Sequence, residues 1–256
     1  MTLTPPVATA PAVDDRAIRL EGVSKTFADG TRALDVLDLD VRPGEFVSLI
    51  GPSGCGKSTV LRLVAGLDAP STGDVGVDRS RLGYVFQDAT LLPWRTAQRN
   101  AELLLELGGV DRRERVERAR RALHLVGLGG FEQHRPRALS GGMRMRVSLA
   151  RTLALDPTVF LFDEPFGALD ELSREHLVDE IQALAERIGF TAVFVTHSIA
   201  EAVYLSSRVV VLSARPGRVV ADIPVPFDHP REPRLRYDGA FGRVAAEVHD
   251  ALRSAS

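Results

Sequence analysis

Apolar and polar positions alternate over residues 18–23 and 37–41, the period-two pattern of half-buried strands. Asp29-Gly30 between them and Pro43-Gly44 after them mark turns. Residues 46–50 form a short apolar run suited to a strand buried on both faces, and 58–67 have helical character. A further strand is predicted over 82–86. The period then lengthens: 96–107, 112–125 and 141–155 predict helices, with Val116, Ala119, Leu123 and Val126 on one face of the second. Residues 159–162 are so apolar that a central strand is expected. Residues 173–188 predict a helix closed by Gly189. Strands follow over 191–195 and 209–212, and a last amphipathic helix carries Phe241, Val244, Val248 and Leu252.

Strands alternating with helices predict an α/β fold, a mainly parallel sheet with helices on both faces. Residues 88–155 carry almost no strand signal and read as an inserted helical subdomain. The division expected is a disordered tail over 1–15, one α/β domain over 16–213, and a linker with a short helix over 214–256. The chain has 256 residues, enough for a substantial core. Its 32 basic and 34 acidic residues leave a net charge of −2, so no basic field for nucleic acid exists. The arginines over 112–121 alternate with Glu114 and Glu117, as on a solvated helix face. No stretch of 18 or more apolar residues offers a membrane span. There is no secretory signal, and the lone Cys55 allows no internal disulfide. These features point to the cytoplasm, and any membrane role would need another chain.

The segment Gly51-Pro52-Ser53-Gly54-Cys55-Gly56-Lys57-Ser58-Thr59 fits G-x-x-x-x-G-K-[ST], with a strand before it and a helix after. The glycines let backbone wrap round a polyphosphate, and the helix aims its first amides at the anion. Lys57 suits the β- and γ-phosphates and the Ser58 hydroxyl suits Mg²⁺. Cys55, close to Lys57 and a helix start, is expected to be a reactive thiolate. Asp163 and Glu164 emerge where the apolar strand ends, the edge where open α/β sheets bind ligands. One of them can serve the metal while the other takes a hydrogen bond from the attacking water. Kinases, GTPases, helicases and transport ATPases all remain compatible with these two features. The common GTPase type is excluded, because the only asparagine, Asn100, precedes Ala101 rather than the Lys of a base-reading motif.

Leu139-Ser140-Gly141-Gly142-Met143, at a helix start upstream of the Asp163 strand, resembles the signature of ABC ATPases. The resemblance covers about residues 18–213. It implies a P-loop NTPase core of ABC ATPase type with an N-terminal antiparallel β portion. It implies ATP and Mg²⁺ as cofactors, and a head-to-tail dimer in which Ser140, Gly141 and Gly142 of one copy close over the γ-phosphate held by the other. It further implies that Phe27 stacks on adenine, that Gln87 senses Mg²⁺ and water, that Asp163 holds Mg²⁺, and that Glu164 is the catalytic carboxylate. His197 would contact the γ-phosphate, and Ala168-Leu169-Asp170 would cross the dimer interface.

Leu91-Leu92-Pro93-Trp94, the run from Asp163 to Asp170, and Ala214-Arg215-Pro216-Gly217-Arg218 are similar to the ATPases of nitrate, sulfonate and taurine importers. That family implies permease partners, an external solute-binding protein and a peripheral position on the cytoplasmic membrane face. A non-transport ABC ATPase or an exporter subunit is the alternative. Long coiled-coil inserts, zinc cysteines and tandem ATPase domains, usual in the non-transport class, are not seen. Trp94 and Leu92 are equally compatible with a permease contact and with the subdomain core. Two departures stand out. Met145 replaces a frequent glutamine, and residues 73–83 are short, suggesting a trimmed hairpin.

Overall fold

The computed structural model describes residues 16–167 and 169–255. The expected tail over 1–15 therefore lies outside the described residues, as does Ala168. The elements in chain order are β1 (Ile18–Thr26), β2 (Arg32–Val41), β3 (Phe46–Ile50), α1 (Lys57–Val64), β4 (Thr72–Val77), β5 (Leu82–Val85), α2 (Ala97–Ala101), α3 (Leu103–Leu107), α4 (Arg112–Leu125), α5 (Gly141–Leu153), β6 (Val159–Asp163), α6 (Glu171–Ile188), β7 (Thr191–Val195), α7 (Ile199–Leu205), β8 (Arg208–Leu212), β9 (Val219–Pro224) and α8 (Gly239–Ser254).

Two sheets organise them. An antiparallel sheet runs β2-β1-β4, and a six-stranded sheet runs β5-β6-β7-β3-β8-β9, parallel except for β9. In β3, β6 and β7 successive side chains enter opposite cores. Phe46, Phe160, Phe162 and Phe194 join one cluster with residues of α5, α6 and α7. Val47, Leu49, Leu161 and Val193 join the other, beneath α1 and the antiparallel sheet. These strands are therefore apolar along nearly their whole length, Ser48, Asp163 and Thr191 being the exceptions, because neither face meets water. Each such side chain contributes about 1.5–3 kcal/mol on full burial.

The sequence expectations for β3, α4 and β7 coincide with the structure, and Gly189 closes α6 in the left-handed region at φ 73°. Several details differ. The helix expected over 96–107 is divided at Glu102 into α2 and α3, although backbone bonds carry the helical register across it (Glu102 N to Gln98 O and Glu106 N to Glu102 O, both 2.9 Å). Residues 73–83 form no hairpin: β4 pairs with β1, whereas β5 pairs with β6 in the other sheet. Three elements were not anticipated, β4 being the first. The linker expected after residue 213 contains β9, which adds an antiparallel edge to β8, and α7 links β7 to β8. Among the described residues, 88–155 holds α2 to α5 and no strand.

Candidate functional site

The carboxyl end of β3 runs into the phosphate loop, and its glycines are there for space as well as torsion. Gly54 and Gly56 adopt φ 74° and 106°, a region that L side chains rarely occupy. A Cβ on Gly56 would also lie 2.6 Å from Leu34 Cδ2, and one on Gly51 would lie 2.9 Å from the Leu212 carbonyl oxygen. Gly56 is the N-cap of α1 and no side chain caps that end, so the first-turn amides are not taken up by a cap. Lys57, 7% exposed, folds back on its own loop, donating to Gly51 O at 2.9 Å and Pro52 O at 3.1 Å.

Ser58 Oγ donates to Asp163 Oδ1 at 2.8 Å, joining the start of α1 to the end of β6. Asp163 Oδ2 accepts from the Tyr84 hydroxyl of β5 at 2.9 Å. Burial, reinforced by the Asp163 charge, pushes the Tyr84 phenol far up, so it stays a donor. Glu164 takes φ 45°, unusual for a residue with a side chain and worth about 1–3 kcal/mol of strain. Its amide donates to Val195 O at 3.0 Å and its carbonyl accepts from the Gly167 amide at 3.2 Å. The carboxylate thereby stands with Oε2 3.3 Å from His197 Nδ1. A Cβ on Gly167 would find Gln87 Nε2 at 3.4 Å, Glu164 O at 3.6 Å and His197 Cε1 at 3.9 Å, so these three residues converge on one glycine.

A cleft of about 310 Å³ lies over the loop, lined by Lys57, Ser58, Thr59, Glu164 and Phe27 among others. Phe27, 37% exposed, is one of its lining residues. Arg215 lines the same cleft. It sits in the 214–218 stretch, which carried part of the importer resemblance and the start of the expected linker but no expected site residue. Tyr84 was missed as well. The apolar run over 82–86 marked its strand, but the pairing of β5 with β6, which aims Tyr84 at Asp163, is a tertiary fact. A third unanticipated residue is Arg151 of α5, 6% exposed, which donates to Ala89 O and Thr90 O at 3.1 Å and so ties α5 to the loop after Gln87.

Other expected residues are not brought to this cleft. Ser140, Gly141 and Gly142 do not line it, and neither do Asp163, Gln87 and His197, although Asp163 and His197 meet its Ser58 and Glu164 directly. Ser140 Oγ caps α5, accepting from the Met143 amide at 3.2 Å, and a Cβ on Gly141 would contact Leu169 at 3.4 Å. Asp170 is exposed and caps α6 through the Ser173 amide at 3.0 Å, which holds its carboxyl below the usual range. Trp94 is 68% exposed, which removes the core reading. Cys55 is a correction. It is fully buried, and desolvation, opposed by Lys57, pushes its thiol up rather than down.

The donors fit a hard cation that keeps its water. Ser58 Oγ and Asp163 are both oxygen ligands beside the loop, and among the described residues no group of three or more His, Cys, Asp or Glu could hold a metal unaided. Mg²⁺ bound through one carboxylate, waters and phosphates is that case.

An anion loop at a helix start, a lysine within it, and a strand-end carboxylate pair define a nucleoside-triphosphate hydrolase of the phosphate-loop class. Residues 34–167 match the family described as ABC transporter. The chain is 41% identical over 243 residues to an aliphatic sulfonates import ATP-binding protein, SsuB, of Bacillus cereus, covering 90% of this chain and 94% of that one. It is 40% identical over 234 residues to a nitrate import ATP-binding protein, NrtD, of Synechocystis, covering 86% and 88%. Its fold matches an ATP-binding cassette solved as a dimer in a post-hydrolysis state bound to ADP and Pi, at TM-score 0.72 and 35% identity over 82% of this chain and all of that one. The chain belongs to the ABC transporter family and is an ATPase of that family.

Proposed function

We propose that this chain powers solute import through a membrane permease by binding and hydrolysing ATP between two copies of itself. The observation that carries the reading is the division of the site. Lys57, Ser58 and Glu164 line one cleft, and Asp163 and His197 meet Ser58 and Glu164 there, while Ser140 caps α5 and Gly141 packs towards Leu169. A signature absent from its own cleft fits a head-to-tail pair in which it closes over the partner's γ-phosphate, as anions favour helix starts. The solved relative's dimeric, ADP- and Pi-bound state supports the pairing.

Within the cleft Phe27 stacks on the adenine, and the residues from Gly51 to Thr59 cradle the phosphates. Lys57 exchanges its carbonyl partners Gly51 and Pro52 for phosphate oxygens. Ser58, Asp163 and Gln87 hold Mg²⁺, which when bound neutralises phosphate charge. Glu164 takes a hydrogen bond from the attacking water, and His197, against Glu164, contacts the γ-phosphate. Asp170 works at the dimer interface.

Residues 16–213 form the ATPase unit, and 88–155 carry its motion to the permease. Trp94, exposed beside Leu92 on the loop after Gln87, is the anchor there. The importer names of the relatives support an aliphatic sulfonate or nitrate as the solute; taurine belongs to the same proposed class, and an external binding protein delivers the solute. The chain then sits on the cytoplasmic membrane face. Among the described residues no helix is long and apolar enough to cross a membrane.

The test is Glu164→Gln, which keeps shape and removes the basic carboxylate. Phosphate release is expected to fall by roughly 10²–10⁴-fold. The variant is expected to elute as a dimer with MgATP and as a monomer with MgADP. Wild-type turnover would eliminate Glu164 as the catalytic carboxylate. A monomer with ATP bound would count against the head-to-tail pairing.

A further inference from the structure

The turn that carries His197 is closed by three hydrogen bonds, two of which involve Glu201 in the first turn of α7. Thr196 Oγ1 donates to Glu201 Oε2 at 2.5 Å and accepts from the Ser198 amide at 3.0 Å. Ser198 Oγ accepts from the Glu201 amide at 3.3 Å. His197 is the residue between the two that Glu201 fixes, and its own side chain is 59% exposed. An imidazole that exposed is not held by packing, so its direction follows from the backbone of residues 196–198 and from its contact with Glu164 Oε2 at 3.3 Å.

Glu201 is 8% exposed, and burial raises its carboxyl above the usual range. A desolvated carboxylate is an unfavourable way to hold a short helix. Ser198 already supplies the side-chain cap of α7, so the Glu201 carboxylate is not needed for that. Its other oxygen, Oε1, lies 3.7 Å from Arg174 Nε of α6. Arg174 Nη2 in turn donates to Leu169 O at 3.1 Å, immediately before Asp170. One buried carboxylate thus faces both the His197 turn and the arginine that grips the 169–170 loop.

We propose that Glu201 is a positioning residue for His197. It holds the 196–198 turn so that the imidazole stands against Glu164 Oε2, and through Arg174 it ties that position to the loop leading into α6. The inference rests on the role given to His197 above, and the test separates the two.

The experiment is a double-mutant cycle on the full chain, reading MgATP turnover, half-saturation and melting temperature. Glu201→Ala is expected to lower kcat roughly tenfold to a hundredfold, the scale of a small misplacement in an ordered site. Half-saturation should stay within about twofold, as for an interaction felt only in the transition state. Glu201→Gln keeps an oxygen for Thr196 and should recover most of the activity. Thr196→Val should reproduce the loss, and it serves in the same cycle if Glu201→Ala does not fold. In a His197→Ala background, Glu201→Ala should add nothing. If His197→Ala slows turnover and Glu201→Ala does not, or if the two losses multiply, the inference is overturned while the reading of His197 stands. If His197→Ala turns over at the wild-type rate, the reading of His197 fails and the inference with it.

Discussion

Gly217 lies in the loop between β8 and β9, and its backbone is a rung against β2. Its amide donates to Ala33 O and its carbonyl accepts from the Asp35 amide, both at 2.9 Å. Gly217 is not among the glycines at positive φ, so torsion does not require glycine there. Space does. A Cβ would lie 2.0 Å from Cys55 O in the phosphate loop, where ordinary contact begins at 3.4 Å. Gly217→Ala therefore asks for a retreat of about 1.4 Å, the difference of those distances, from a backbone carbonyl rather than a flexible side-chain end. Overpacking of this kind costs roughly 1–3 kcal/mol. If the phosphate loop yields, nucleotide affinity should weaken by about 5- to 150-fold. If the fold yields, Tm should drop by about 2–12 °C at ~2–4 °C per kcal/mol. Calorimetry with and without MgATP reads both. Gly242→Ala is the control: it is exposed on α8, nothing lies within 4 Å of its Cβ, and alanine should stabilise by about 0.5–1 kcal/mol. A Gly217→Ala chain unchanged in both Tm and nucleotide affinity would refute the claim that the 214–218 loop buttresses the phosphate loop.

Cys55 should react slowly with a disulfide reagent in the native chain and rapidly after unfolding, because it is fully buried and its thiol is pushed up by desolvation. A native rate matching a free thiol would contradict that burial. His229 gives a pH signature. Burial, aided by Arg231 and opposed by Asp228, lowers it from 6.5 to about 4, even with Glu186 at 3.9 Å. Between those values the unfolded chain binds the extra proton, so stability is full above about pH 6.5 and falls as pH drops towards 4. His229→Gln should flatten the Tm profile across that window, and an unchanged slope would show that His229 is not its source.

What the sequence disclosed was local chemistry. The phosphate loop reads directly because its glycines meet torsional demands a few residues apart, and the Asp163 strand reads because both its faces are buried. β9 was hidden because Val219–Pro224 is a half-exposed edge strand with a weak apolar pattern. α7 was hidden because a helix of seven residues falls below what periodicity can resolve. Cys55 was misjudged for a related reason. Closeness to Lys57 is visible along the chain, but the desolvation that outweighs it comes from burial in the core cluster between the two sheets, which is not.

The same limit explains which site residues were missed. Along the six-stranded sheet the order is β5-β6-β7-β3-β8, and each of these strands hands one group to the cleft or its edge from its carboxyl end. In that order the groups are Gln87, Asp163 with Glu164, His197, the phosphate loop with Lys57, and Arg215. In sequence the phosphate loop comes first and Arg215 last, so their adjacency exists only because β3 inserts between β7 and β8. With strands about 4.8 Å apart, neighbours in this row can touch, as Glu164 and His197 do, while Gln87 and Arg215 come from strands four spacings apart. Arg215 therefore stands at the β8 end of the row, and Gln87 at the β5 end, where the chain enters the helical segment over 88–155. Each residue type was legible in the chain. Which of them share an end of the cleft was decided by the strand order.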